Sequence, residues 1–313
     1  MLTDRFETST KRTNPSRRPP QKLEWLAITA VTGAAAALTL LFSPALEGAP
    51  KGCPPGMANV LGRYCIDRFE ASLDVVNSKG KRLRNHSPYH SVSPGQLVVA
   101  RSRQNVVPQA YLSQEEATIA CESAGKRLCS DEEWVTACRG KQPTRYPYGD
   151  EHIKGRCNDS GESSLLRVFG VLPPDELYTL DKMNDPRLNQ LSKTVMKCGA
   201  NSRCRNSFGV HDMVGNLHEW TANKGGTFRG GYYLDTRING EGCSYQTTAH
   251  NPRYSDYSIG FRCCSAPGAL KPPKTLKSPV PEGSPRALDF ERKKRARARA
   301  RAAGKDVDAP KKR

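Results

Sequence analysis

Eleven cysteines are the residues best able to do chemistry in this 313-residue chain, and all of them lie between Cys53 and Cys264. They lack the paired CxxC spacing of a zinc site. A reducing cytosol rarely keeps so many thiols without a metal, so disulfides in an oxidising compartment are the expected state. Eleven is odd, so at least one thiol is unpaired or pairs with another molecule. The six histidines are His86, His90, His152, His211, His218 and His250, and none makes a helical metal-binding pair. His86 and His90 are four apart but lie in a proline-containing loop. No Ser-His-Asp set, phosphate loop or paired-carboxylate centre stands out. Glu115, Glu116, Glu132 and Glu133 are acids in the first turns of two expected helices, where the helix dipole favours them. The densest run is FGVHDMVGNLHEW, residues 208–220. Read alone, it is a tight turn held by side-chain hydrogen bonds of Asn216.

Two helices must position much of this. SQEEATIACESAG opens with Ser113 and Glu116 three residues apart, a capping box, and ends at Gly125. Ala117, Ala120, Cys121 and Ala124 form its inner face. SDEEWVTACRG repeats the device with Ser130 and Glu133, an inner face of Trp134, Ala137 and Cys138, and a closing Gly140. Long alternating strands are missing. The region is therefore α+β and loop-rich, and leans on cross-links or ions for rigidity. Residues 160–195 read as a surface excursion.

The charge of +18 sits mainly at the ends. Residues 269–313 carry 15 Lys and Arg against 5 Asp and Glu; residues 1–24 carry 6 against 3. The remainder, near +5, is ordinary for a soluble domain. Residues 1–24 read as a cytoplasmic tail. Residues 25–42, WLAITAVTGAAAALTLLF, contain no charge and are just long enough to span a bilayer core. A transmembrane anchor over residues 25–43 follows, with the preceding Lys and Arg on the cytoplasmic side. A cleaved signal peptide is the alternative, since Ser43 and Ala45 fit a small-residue cleavage site. The folded domain then spans residues 53–266 and lies outside the cytoplasm: at the cell membrane, single-pass, and periplasmic if the cell has two membranes. Residues 267–313 read as a proline-rich linker and a basic disordered tail. That tail suits anionic envelope lipid or glycan. It has no interleaved aromatics to stack on bases, and the expected compartment excludes nucleic acid.

Six motifs occur in order: CIDRFEAS, AGKRLCSDEEWVTACRG, YPYGD, FGVHDMVGNLHEW, TFRGGYY and IGFRCC. Together they resemble the formylglycine-generating enzyme family, also called the sulfatase-modifying-factor domain, over about residues 53–265. The resemblance implies a compact variant of the C-type lectin fold. It also implies a calcium loop, with Asp212 and Glu219 giving carboxylate oxygens and Gly215 and Leu217 giving carbonyls, a set calcium accepts. Asn158 resembles the first ligand of a second calcium site. His218 stands where the family usually has an aromatic residue and is expected as partly exposed packing. The family's staples imply Cys121 with Cys263 and Cys138 with Cys243. Cys53 with Cys65, and Cys198 with Cys204, are expected as local bridges on proximity alone, leaving Cys129, Cys157 and Cys264 unassigned.

Oxidising members of the family hold copper between two thiolates just after an RGGS strand, and soft thiolates suit Cu(I). Here the run is RGGYYLDTRINGEGC: Asp235 stands at the first position, and no cysteine falls between Gly230 and Gly242. The expectation is a membrane-anchored, calcium-stabilised binding or accessory module without copper oxidase activity. Its ligand would be a protein or peptide, met by Tyr232, Tyr233, Tyr245, Tyr254 and Tyr257 near residues 229–233. The alternative is a diverged oxidase or another protein-modifying enzyme of the same family.

Overall fold

The computed structural model describes residues 52–248 and 250–303. The expected anchor at residues 25–43 and the cytoplasmic tail lie outside the described residues. Among the described residues no helix is long and apolar enough to cross a membrane.

Short strands dominate the first part: β1 (Met57–Val60), β2 (Tyr64–Asp67), β3 (Ala71–Val76), β4 (Arg82–Asn85) and β5 (Val98–Ser102). Then come α1 (Gln114–Ser123), β6 (Arg127–Leu128) and α2 (Asp131–Arg139). Three short helices follow, α3 (Ser164–Phe169), α4 (Pro174–Leu177) and α5 (Leu180–Met183). The remaining strands are β7 (His218–Trp220), β8 (Phe228–Arg229), β9 (Gln246–Thr247), β10 (Ile259–Phe261) and β11 (Cys263–Ser265), and α6 (Pro285–Ala302) closes the described chain. They form three small sheets, ordered β1-β2-β11-β6, β10-β7-β8-β9 and β4-β3-β5. The β10/β7 pair is parallel and the other printed pairings are antiparallel. The architecture is the mixed, loop-rich fold the motifs imply.

Both capping boxes form. The Ser113 hydroxyl accepts from the Glu116 amide while the Glu116 carboxylate accepts from the Ser113 amide; Ser130 and Glu133 do the same for α2. Each reciprocal pair satisfies two otherwise orphaned donors at a helix start. Gly125 and Gly140 follow with positive φ, a conformation that costs glycine little. Ala117, Ala120 and Cys121 face one apolar cluster with Trp220 and Phe261. Trp134, Ala137 and Cys138 face a second with Ile66 and Met213.

Five disulfides join these parts: Cys53–Cys65, Cys121–Cys263, Cys129–Cys264, Cys138–Cys243 and Cys157–Cys204. Successive strand residues point to opposite faces. Cys263 and Cys264, neighbours on β11, therefore enter different apolar clusters and staple different partners. The expected Cys198–Cys204 bridge does not form. The Cys198 backbone is held by Asn105 and Val106, which turns its thiol toward Glu70, 3.6 Å from the carbonyl oxygen. Cys204 reaches Cys157 instead, and Cys198 is free and buried. Proximity in sequence said nothing about side-chain direction.

Two other expectations change. Residues 160–195 are not a bare excursion: Leu165, Leu177 and Leu188 pack with Tyr111, Leu217, Tyr233 and Tyr257 in a third apolar cluster. The proline-rich segment after residue 267 is not a free linker. Val280 accepts a hydrogen bond from the Gly95 amide, and Val280 and Ala287 are buried in the first cluster. Arg286 pairs with Glu116 at 2.6 Å. The basic stretch continues as α6, whose alternating Arg and Ala are both good helix formers.

These bonds give a prediction for thiol counting on the full chain. Native protein should be inert to a maleimide probe, because burial also pushes the Cys198 thiol well up. Denatured, unreduced protein should label at one thiol per chain. Removing Cys121–Cys263 by paired Ser substitution should cost roughly 4 to 5 kcal/mol in urea unfolding, on the loop-closure argument for a span this long.

Candidate functional site

The 208–220 run ends on β7, and parallel pairing sets Glu219 beside Gly260 of β10. Arg262, just beyond β10, then reaches Glu219. Its Nε donates to Oε2 at 2.6 Å and its Nη2 to Oε1 at 2.6 Å. Trp134 Nε1 donates to Oε2 at 2.7 Å. The remaining guanidinium donors meet the carbonyls of Asp67 at 3.0 Å and His211 at 2.9 Å. Both side chains are shut from solvent, at 0% and 1% exposure. Burial alone would lower the Arg262 pKa; the Glu219 carboxylate outweighs it and holds the guanidinium above its ordinary value.

Two more carboxylates share this interior. Glu70 accepts from Asn216 Nδ2 at 2.6 Å and from the Leu217 amide at 3.2 Å. Burial, with Asp212 and Glu219 nearby, raises its pKa well above the usual carboxylate range. Asp212 accepts from the Gly199 amide at 2.6 Å, and burial pushes it up to about 6 against the opposing pull of that amide and Arg262. Asn216 sits at φ 62°, which asparagine tolerates. Its Oδ1 accepts from Asn158 Nδ2 at 2.9 Å and from the Met196 amide at 2.8 Å.

Of the calcium set Asp212, Gly215, Leu217 and Glu219, the structure gives the two carboxylates protein partners: the Gly199 amide on Asp212, and Arg262 with Trp134 on Glu219. Arg262 and Trp134 together place three donors on the two Glu219 oxygens, so a guanidinium stands against the charge that a calcium ion would also meet. Asn158 is brought to the loop but serves as scaffold. Its side-chain amide donates to Thr194 and Asn216, and its carbonyl accepts from the Asn216 amide. A Cβ at Gly215 would collide with that carbonyl, which accounts for the glycine. Side-chain hydrogen bonds of Asn216 to Asn158, Met196 and Glu70 hold the turn within the loop. Among the described residues no three His, Cys, Asp or Glu side chains stand together as a metal-holding group.

On the other side of β7 lies an aromatic cluster. The His218 ring is 4.8 Å from Phe228, 4.8 Å from Tyr232 and 5.4 Å from Tyr245, centre to centre. His250 stacks on Phe228 at 5.5 Å and on Tyr254 at 4.1 Å. His218 is not partly exposed packing, as its sequence position suggested; it is 5% exposed. Its Nδ1 is buried with no hydrogen-bond partner among the described residues. Burial, with His250 adding to it, pushes its pKa down to about 3, so the ring is neutral. Tyr232 is half-buried at the rim, its pKa pushed up to about 12 by burial. Of the five tyrosines expected as contact residues, Tyr233, Tyr245 and Tyr257 are core.

The copper positions are also spent. Cys243 is bonded to Cys138. Asp235 accepts from the Tyr245 hydroxyl at 2.9 Å and from the amides of Arg237 and Ile238, so it shapes its own turn. The one free thiol among the described residues, Cys198, lies beside Glu70. Thiolate-held copper does not fit these residues.

A family profile described as "Sulfatase-modifying factor enzyme 1-like domain" matches residues 59–267. Two curated proteins named "Inactive C-alpha-formylglycine-generating enzyme 2" are similar. The one from Bos taurus is 26% identical over 54% of this chain and 53% of its own length. The one from Mus musculus is 25% identical over 53% and 51%. The chain thus spans about half the length of the curated relatives it matches. Among solved structures, PvdO from Pseudomonas aeruginosa is 14% identical over 64% of this chain and 80% of its own, with a TM-score of 0.39. CarF is 20% identical over 64% and 85%, with a TM-score of 0.36.

The cluster predicts an acid sensitivity. The folded pKa of His218 lies below its ordinary value, so unfolded chain binds a proton that folded chain refuses. Stability is therefore full above about pH 6.5 and falls as pH drops toward 3, by up to ~1.4 kcal/mol per pH unit. His218→Phe should flatten that slope by up to one proton in urea unfolding between those limits. An unchanged slope would mean the ring is hydrated or paired.

Proposed function

The chain belongs to the sulfatase-modifying factor enzyme 1-like domain family, and from that premise we propose that it is a non-oxidising member that binds an extended peptide. The observation that carries this reading is the Cys138–Cys243 disulfide. It removes the sulfur nearest the copper position, while Asp235 takes the other position and is a hard, poor ligand for Cu(I). The relatives named inactive formylglycine-generating enzymes point the same way. The binding surface is the partly exposed aromatic edge at Tyr232. Aromatic rings offer contact area at low entropic cost, and His250 and Tyr254, stacked at 4.1 Å and both partly exposed, extend that surface.

In this reading Arg262 supplies the internal bracing expected of calcium. The protein works at the cell membrane, held by residues 25–43 with residues 53–303 outside the cytoplasm. Five disulfides support an oxidising compartment. The positive charges before the apolar run support that orientation. The basic C-terminal segment gains from an anionic envelope surface.

Full chain, purified in a nonionic detergent and offered copper, oxygen and a cysteine-containing peptide, is expected to hold copper below stoichiometry and consume no oxygen. Peptides selected on it from a random display pool should bind Tyr232→Ala about tenfold more weakly, the loss expected at an aromatic contact. Stoichiometric copper with turnover would overturn the reading.

A further inference from the structure

The β4-β3-β5 sheet carries a charge imbalance that the peptide reading does not use. Asp74 lies on its central strand β3, and its side chain is 1% exposed. Three guanidinium groups from separate elements converge on it. Arg103, just past β5, is bidentate, with Nη1 at 2.9 Å from Oδ1 and Nη2 at 2.6 Å from Oδ2. Arg82 of β4 donates from Nε at 3.0 Å, and Arg101 of β5 from Nε at 3.2 Å. Asn85 accepts from Arg82 at 2.6 Å and Arg103 at 3.4 Å. Burial would raise the Asp74 pKa, but these arginine hydrogen bonds hold it below the usual range.

One buried carboxylate thus faces three cations, and no second carboxylate hydrogen-bonds any of the three among the described residues. The arginine side chains remain 50%, 42% and 34% exposed for Arg82, Arg101 and Arg103. The terminal nitrogens of Arg101 make no hydrogen bond within the described residues; its one side-chain bond is from Nε. If the sheet only needed stapling, one arginine would satisfy both carboxylate oxygens. Three leave two charges and several planar donors turned outward, the geometry that recognises oxyanions.

We infer that the Asp74–Arg82–Arg101–Arg103 cluster is a binding site for a phosphate oxyanion, with Asp74 holding the guanidinium fan in register. The anion adds to the outer edge of the fan, using the free donors of Arg101 and the exposed edges of its neighbours. Asp74 competes for the same cations and keeps the site weak and exchangeable. The phosphate can be free in solution or carried on a lipid headgroup.

The test is thermal unfolding of full chain in detergent, with inorganic phosphate replacing chloride at constant ionic strength. Wild type should gain several degrees, since a ligand bound only to the folded state stabilises it. Arg101→Gln, which keeps the Arg82 and Arg103 contacts to Asp74, should lose at least half of that gain. Asp74→Asn should enlarge it, because the internal competitor is gone. If Asp74→Asn does not fold, the comparison of wild type with Arg101→Gln decides alone. Flotation with phosphatidylglycerol or phosphatidylcholine vesicles separates the two sources, the basic tail being identical in both proteins. Weaker phosphatidylglycerol flotation of Arg101→Gln assigns the headgroup, and equal flotation beside a lost phosphate shift assigns the soluble anion. An equal phosphate response of wild type and Arg101→Gln, or none in either, would overturn the site.

Discussion

A buried guanidinium organises this fold. Arg262 joins Glu219 on β7 to the carbonyls of Asp67 on β2 and His211 before the Asn216 turn. Trp134 of α2 completes the set from the other side. The Arg262–Glu219 pair thereby ties together two small sheets, a helix and a loop. Such a pair need not stabilise more than apolar residues of the same volume would. Breaking one half, however, strands a charge in the interior at a cost of about 3 to 5 kcal/mol.

The surroundings make that constraint sharper. Asp212 and Glu219 add to burial in raising the pKa of Glu70, Glu219 adds to burial in raising that of Asp212, and Arg262 is the cation they share. Three carboxylates against one guanidinium cannot all stay ionised in a dry interior. The protein meets the excess by favouring the protonated form of Glu70 and by giving Asp212 and Glu70 backbone amide donors. The disulfides act at a different level. They restrict the unfolded chain and tie short strands together, while the ion pair decides how the pieces orient. Ten of the eleven cysteine sulfurs are committed to bracing, and aromatic rings pack around His218 on the other face of β7.

Local signals were legible and directional ones were not. Ser113 with Glu116, and Ser130 with Glu133, announce helix starts because a capping box is a short-range bargain between four atoms. Inner faces such as Trp134, Ala137 and Cys138 follow from helical period. The Cys198–Cys204 expectation failed because six residues of separation carry no information about which way a thiol points. The Asp212 and Glu219 carboxylates looked like hard ligands because nothing in a linear motif reveals that Arg262, 43 residues further on, will reach back to one of them. The burial of His218 is hidden for the same reason: it is set by Phe228 on the two-residue strand β8 and by Tyr232 and Tyr245 in the loop between β8 and β9. The basic tail read as disorder on composition, although Arg and Ala favour a helix once Arg286 and Ala287 are anchored.

The central claim is that Arg262, and not a calcium ion, answers the charge of Glu219. Thermal unfolding of the full chain in a chelator, and then in millimolar calcium at matched ionic strength, tests it most directly. The account predicts superimposable melting curves. A calcium-dependent rise of several degrees, abolished by Glu219→Gln, would contradict it.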